Sequence, residues 1–189
     1  MNKLKSIQVK EPWQIELMRL IYNDNLDMLS TKPLPYRTYE EQQQWWNDNK
    51  NHLRAFLYEP ITQPGKFIAF LVLRDRGNFN TPIIAIQKEE WGQKFGKEII
   101  SDYIIKANSP LAGTQLQSNG AICHLNKKNG WQIWGETMQP AGMVDLLYHP
   151  GVNENLHNNK NIIDGVLEYL ELNKDTFYEQ NKNIAQCVK

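Results

Sequence analysis

A chain of 189 residues is long enough for one substantial hydrophobic core and too short for two ordinary ones. Its 21 basic and 21 acidic side chains cancel and no basic run appears, so the broad positive field that holds a nucleic-acid backbone is absent. The first residues carry no apolar stretch of signal-peptide length, and no later segment approaches the roughly 20 apolar residues that span a bilayer. A single cytoplasmic domain with neither nucleic acid nor membrane as partner is therefore expected. The two cysteines, Cys123 and Cys187, make no disulfide framework, and Cys123 reads as a small core residue.

Residues 4–9 alternate enough for a first strand. Pro12 then takes a favoured first helical position, with Trp13, Leu17, Leu20 and Ile21 predicted as one apolar face. A polar, proline-broken loop covers 30–37. Thr38 and Glu41 form a T-x-x-E capping box that opens a second helix containing Trp45 and Trp46. Segments 53–58, 66–74 and 81–87 read as successive strands, joined by turns containing Pro60, Pro64, Gly65 and Gly77. The last of them, with its β-branched run Ile83, Ile84 and Ile86, predicts a buried strand. After Gly92 a helix starts at Gly96, with Ile99, Ile100, Tyr103, Ile104 and Ala107 at helical spacing. Pro110 and Gly113 break the chain before a short strand at 114–117. Ser118 or Asn119 caps the next helix, which closes at Asn129 and Gly130, and strands follow at 132–136 and 143–148. Ile162, Ile163, Val166, Leu167, Leu170 and Phe177 mark an amphipathic C-terminal helix, expected to dock on the same core. There is no internal repeat. The chain divides into a core of 1–150 and a C-terminal helical extension, 151–189.

The segment 83–97, IIAIQKEEWGQKFGK, runs from strand through a glycine-bearing loop to a helix N-terminus. Such a turn offers unpaired backbone N–H groups and the positive end of a helix dipole to an anion. Two glycines in a strand-to-helix turn also serve purely steric ends.

Segment 91–96 fits the spacing of a Q/R-x-x-G-x-G/A pyrophosphate loop, and segment 119–131, NGAICHLNKKNGW, fits N-x-x-A/S-x-x-x-Y-x-K-x-G-F, with Asn119, Lys128, Gly130 and Trp131 matching. Four positions depart: Trp91 replaces Gln or Arg, Lys94 replaces the first glycine, Ile122 replaces the small residue and Asn126 replaces the tyrosine. The pair of segments, in this order and separation, resembles the GNAT superfamily of acetyl-CoA-dependent N-acyltransferases. The resemblance implies an α/β (α+β) fold with a mixed, mostly antiparallel sheet of about seven strands flanked by helices. It implies acetyl-CoA as co-substrate and no metal. Its cofactor positions fall on Ile86, Gln87, Trp91, Gly92, Gln93, Lys94, Phe95, Gly96, Lys97, Asn119, Asn126 and Lys128.

For the chemistry, the resemblance places Asn126 at the leaving-group position, where an amide donates a hydrogen bond but delivers no proton. Glu89 and Glu90 stand where relatives carry a water-relayed base, and strand alternation lets one of them face the cleft. Gln115 falls near a catalytic glutamate of some relatives and takes no proton. His124 turns about 160° from Asn126 on a helix and reads as a surface residue. A lysine amine costs about 4 kcal/mol to deprotonate at pH 7.4 and an α-amine about 1 kcal/mol, so a low-pKa amine suits such a cleft. Tyr36, Arg37, Tyr39 and Trp46 are the candidate acceptor-binding residues. The opening at Thr38–Glu41 resembles the branch that acetylates nucleotide-linked amino sugars. The ending Lys128, Asn129, Gly130, Trp131 resembles the ribosomal-protein N-terminal branch, and the four departures leave a catalytically silent acyl-CoA-binding module as a third reading. The expected partner is a small-molecule amine, and the chain is expected as a monomer or homodimer.

Overall fold

Apolar residues alternating along the strands build one sheet whose two faces carry different helices. In the computed structural model, which describes residues 3–29, 34–107, 109–150 and 159–181, the strands are β1 (Leu4–Gln8), β2 (Leu53–Pro60), β3 (Ala69–Asp75), β4 (Asn80–Ile86), β5 (Leu111–Leu116), β6 (Gln132–Gln139) and β7 (Gly142–His149). The helices are α1 (Pro12–Asp24), α2 (Tyr39–Asn49), α3 (Phe95–Lys106), α4 (Gly120–Lys128), α5 (Asn159–Tyr169) and α6 (Lys174–Gln180). The seven-stranded sheet has the order β1-β2-β3-β4-β5-β7-β6. Every neighbouring pair is antiparallel except β4 and β5. This is the α+β architecture, mixed and mostly antiparallel, expected from the sequence.

Phe70 and Val72 of β3 and Ala85 of β4 meet Ile15, Met18 and Ile21 of α1 on one face. Leu71 and Leu73, one residue out of phase, turn to the other face and meet Ile99, Ile100 and Tyr103 of α3. Along β5 the same alternation sends Leu111 to the α3 side, while Ala112, with Leu146 and Tyr148 of β7, packs against Ile162, Ile163, Val166 and Leu167 of α5 and Phe177 of α6. Thus α1, α2, α5 and α6 share one face, and α3 and α4 the other.

The α2 capping box forms as predicted: Glu41 N–H donates to the Thr38 hydroxyl oxygen at 3.2 Å, and Thr38 N–H to the Glu41 carboxylate at 2.8 Å. Asn119, not Ser118, caps α4, accepting from Ile122 N–H at 3.3 Å.

Several expectations are corrected. The apolar face of α1 is Ile15, Met18, Ile21 and Tyr22, and Trp13 and Leu20 stay about half exposed, Trp13 lying against the Phe67 ring at 5.7 Å. The Gln14 side chain accounts for this rotation: it is buried and receives the N–H groups of Lys10 and Glu11 at 2.6 and 2.8 Å. Gly113 does not break the chain before β5 but lies within it. Ile83, Ile84 and Ile86 are only half-buried, because β5 leaves the edge of β4. The C-terminal helix is two helices. Glu171 adopts φ 57°, and Leu172 N–H returns to Leu167 C=O at 2.9 Å, the closing bond of a Schellman motif. Asn173 then caps α6 through Thr176 N–H at 2.9 Å. Cys187 and part of the predicted 30–37 loop lie outside the described residues.

Candidate active site

The two parallel strands touch at one register pair, Asn80 with Leu111. The start is pinned: Asn80 N–H donates to Pro110 C=O at 2.9 Å, and its side-chain N–H donates to Ala107 C=O at 2.8 Å. Pro82, in the next stretch of β4, has no N–H to offer a ladder. Beyond that pair the strands separate over a cavity of about 860 Å³ that reaches helices on both faces of the sheet. Its waist is lined by Ile83, Ile84, Ala85 and Ile86 of β4 and Gly113, Thr114 and Gln115 of β5.

At the α3 end, a 3-10 turn (Lys88–Glu90) leads from β4 into the glycine-bearing loop. Gly92 has φ 83° and Lys94 φ 67°, so two left-handed residues turn the chain into α3. Lys94 is the helix N-cap and makes no side-chain capping bond, so the first N–H groups of α3 receive nothing from it. The position where the resembled motif carries glycine is therefore one whose backbone favours glycine. Gly96, buried in the first turn, allows α3 to approach α4: a Cβ there would stand 3.0 Å from Leu125 Cδ1. Trp91 folds back, its indole N–H donating to Ile86 C=O at 2.9 Å. Lys88 ties the loop to Asp24 at the end of α1, which accepts its N–H at 3.0 Å, and to Asp27 just beyond that helix, 3.2 Å from its ammonium.

A buried polar relay lies beside the waist. The Asn126 side-chain N–H donates to the Gln115 side-chain oxygen at 2.8 Å. Gln115 in turn donates to one Asp145 oxygen at 2.7 Å, and Gln117 donates to the other at 2.7 Å. Asn126, Gln115 and Asp145 are all buried. Tyr103 also lines the cavity, its phenol pushed up by burial and held neutral.

On the opposite face, Arg37 and Arg74 line the cavity. The Arg37 guanidinium lies 4.2 Å from the Tyr22 ring centre and 5.1 Å from that of Trp45, and Arg74 lies 5.6 Å from the same Trp45 ring. Burial and the nearby Arg76 and Arg37 charges push the Arg74 guanidinium below its ordinary value, against an opposing pull from Tyr169.

Of the residues singled out in the sequence, Ile86, Glu90, Trp91, Gly92, Lys94, Phe95, Gly96, Asn119, Asn126 and Arg37 line this cavity. Gln87, Gln93, Lys97 and Lys128 are not among the residues that line it. Glu89 and Glu90 do not alternate on a strand, since they belong to the 3-10 turn; Glu89 is exposed and Glu90 is paired with Lys66. Tyr36, Tyr39 and Trp46 stand away from it. Tyr36 is 64% exposed, Tyr39 begins α2 facing solvent, and Trp46 packs against the α1-side core. His124, read as a surface residue, is exposed but borders the cavity. Arg74, Tyr103 and the acceptor role of Asp145 escaped the sequence reading because each depends on strand pairing or helix docking between distant segments. Among the described residues no group of three His, Cys, Asp or Glu side chains is arranged to hold a metal, and no helix is long and apolar enough to cross a membrane.

No family model and no curated protein matches the chain. Solved structures do match. Spermidine N-acetyltransferase from Vibrio cholerae, solved with CoA and spermine, superposes with a TM-score of 0.68 at 16% identity, over 79% of this chain and 96% of that one. A protein assigned as a phosphinothricin N-acetyltransferase gives a TM-score of 0.68 at 17% identity, over 79% of this chain and 99% of its own. At these identities the likeness is one of architecture, and it agrees with the splayed strands and the loop into α3: the chain has the GNAT acetyltransferase fold.

Proposed function

We propose that this chain is an N-acetyltransferase that moves an acetyl group from acetyl-CoA to the primary amine of a small molecule. The observation that carries the reading is the separation of β4 from β5 after a single register pair, over a cavity that opens at the uncapped N-terminus of α3. The loop suits a pyrophosphate: no heavy atom lies within 4 Å of a Cβ built on Gly92, the helix dipole points outward there, and Lys94 adds an ammonium at the rim. One superposed structure is a spermidine N-acetyltransferase solved with CoA and the other is assigned as a phosphinothricin N-acetyltransferase, which supports the same reading.

Bound acetyl-CoA supplies an activated acyl group: an N–C bond forms as the C–S bond breaks, and a proton lost by the amine ends on the released thiol. The exposed edge of β4 from Ile83 to Ile86 offers backbone groups that orient an extended arm and polarise a carbonyl. Apolar side chains at the waist exclude water from the reacting atoms. Asn126 holds no transferable proton, and Glu90, the one carboxylate lining the cavity among the described residues, is engaged by Lys66. The side chains are thus suited to an amine that arrives partly neutral, where deprotonation costs about 1 kcal/mol, over a lysine amine, where it costs about 4 kcal/mol. Nucleotide-linked amino sugars, expected from the sequence, remain within this class.

The test is calorimetry with CoA, followed by thiol release from acetyl-CoA with a panel of amines. Micromolar CoA binding that is lost in Gly96→Asp, together with amine-dependent thiol release, is the expected result. Absence of CoA binding by the unmodified protein overturns the proposal.

A further inference from the structure

We propose that Arg37 and Arg74 form an anion-recognition pole for the acceptor, so that the amine acetylated by this chain also bears a carboxylate or another oxyanion. The proposal rests on the acetyltransferase reading and concerns the opposite end of the same cavity from the α3 loop. Three observations carry it. Both guanidiniums line the cavity and lean on the one Trp45 ring, yet among the described residues neither has a carboxylate within ion-pair distance. Two donors beside them, Arg74 Nε and the Tyr22 hydroxyl, are shielded from solvent and make no hydrogen bond. Finally, among the described residues the lining is electrostatically one-sided: Arg37, Arg74 and Lys94 stand against one carboxylate, Glu90, which Lys66 already engages.

Two half-buried cations held near one ring repel each other, so an oxyanion that reaches both gains from both charges and from charge-assisted hydrogen bonds to planar donors. Their support is rigid. Arg37 is fixed at its backbone by Asn23, which accepts its N–H and donates to its C=O at 2.9 Å each, and at its guanidinium by Gln42 at 3.1 Å. Arg74 is held on β3 opposite Thr81 of β4. A pole built in this way places the amine end of the ligand toward the waist, using remote binding energy to orient the reacting nitrogen. A polyamine, which carries positive charge along its length, meets repulsion at this end.

The experiment compares kcat/KM, expressed per neutral amine at the assay pH, for paired acceptors: glutamate against its diamide, a nucleotide-linked amino sugar against the free amino sugar, and spermidine. The wild type, Arg74→Gln, Arg74→Lys and Arg37→Met proteins are used, with CoA affinity measured for each. The expected result is a preference of at least a hundredfold for one anionic member over its uncharged partner. That preference falls at least tenfold in Arg74→Gln through KM, is partly kept in Arg74→Lys, and is accompanied by CoA affinity within about twofold of wild type. The carboxylate and phosphate pairs distinguish the two sources of the anion. Preference for spermidine or for the uncharged partners, or an Arg74→Gln protein with the wild-type preference, overturns the proposal. Calorimetry with glutamate and with inorganic phosphate, in the presence of saturating CoA, tests the pole independently of turnover: binding weakened by Arg74→Gln supports it, and no binding of either probe, or binding unchanged in Arg74→Gln, overturns it.

Discussion

Asn126 gives its side-chain N–H to the Gln115 side-chain oxygen at 2.8 Å, and the direction of that bond is set elsewhere. Asp145 accepts at both of its oxygens, from Gln115 and from Gln117. A carboxylate takes only donors, so Gln115 must turn its nitrogen toward Asp145 and its oxygen toward Asn126. One Asn126 N–H is thereby committed, and its Oδ1 is left buried without a partner among the described residues. At the position where the resembled motif carries a tyrosine, this chain thus holds an amide whose orientation is dictated from β7.

Gln115→Glu sets a second carboxylate against Asp145 in a buried site. The expected loss of stability at pH 7.5 is about 3 kcal/mol, since breaking a buried charged arrangement leaves a charge uncompensated. Facing carboxylates raise the folded-state pKa of the pair, so the deficit should shrink as the pH falls and a proton is taken up. Urea denaturation at pH 7.5 and 5.0 checks this; equal midpoints for variant and wild type at both pH values would contradict the relay.

Lys94→Gly should move stability and cofactor affinity in opposite directions. The left-handed backbone costs a non-glycine residue roughly 1 kcal/mol, part of which glycine returns through its freer unfolded chain, so a net gain of about 0.5 kcal/mol is expected. On the acetyl-CoA reading, loss of the ammonium weakens CoA binding several-fold. Denaturation together with CoA calorimetry reads both; tighter CoA binding would remove Lys94 from the phosphate site.

Gly165→Ala reverses the usual sign of a helical substitution. In an open helix the change stabilises by about 1 kcal/mol. Here the added Cβ would come 2.9 Å from Phe79 Cε1, where α5 lies on the sheet, and a destabilisation of about 1–2 kcal/mol is expected from overpacking. Thermal unfolding of Gly165→Ala, and of Gly165→Ala with Phe79→Leu, measures the effect; a stabilised single variant would mean that α5 does not dock as described.

His149 gives a pH dependence. Burial holds its imidazole below the ordinary histidine value, although the Asn129 backbone pulls it the other way. A base whose folded pKa is depressed disfavours the fold when it takes a proton. Its contribution is therefore complete above the unfolded value, about 6.5, and is lost as the pH falls through that value toward the folded one. His149→Gln should flatten the decline in stability between pH 7 and 5. An unchanged slope would assign that decline to other groups.

What the sequence by itself determined is local. The T-x-x-E box that opens α2, a cap for α4 at Ser118 or Asn119 and the order of strands and helices through β7 are all set by residues within a few positions of each other, where capping bonds and periodicity act. The glycine-bearing loop before α3 was legible for the same reason, whereas the left-handed backbone of Lys94 is seen in the structure, at the position where the resembled motif carries glycine. Tertiary structure decided what depends on segments far apart in the chain. Which face of α1 is buried followed from the Gln14 side chain binding the preceding backbone and from the sheet beneath, so Trp13 and Leu20 stayed exposed despite their apolarity. Ile83 and Ile86 read as core but line a cavity, because burial of a strand depends on its neighbour and β5 departs after one pair. Arg74 and Asp145 carry no sequence signal of their own: each acquires its role from strand register and helix docking, which bring Trp45 beside the one and Gln115 and Gln117 beside the other.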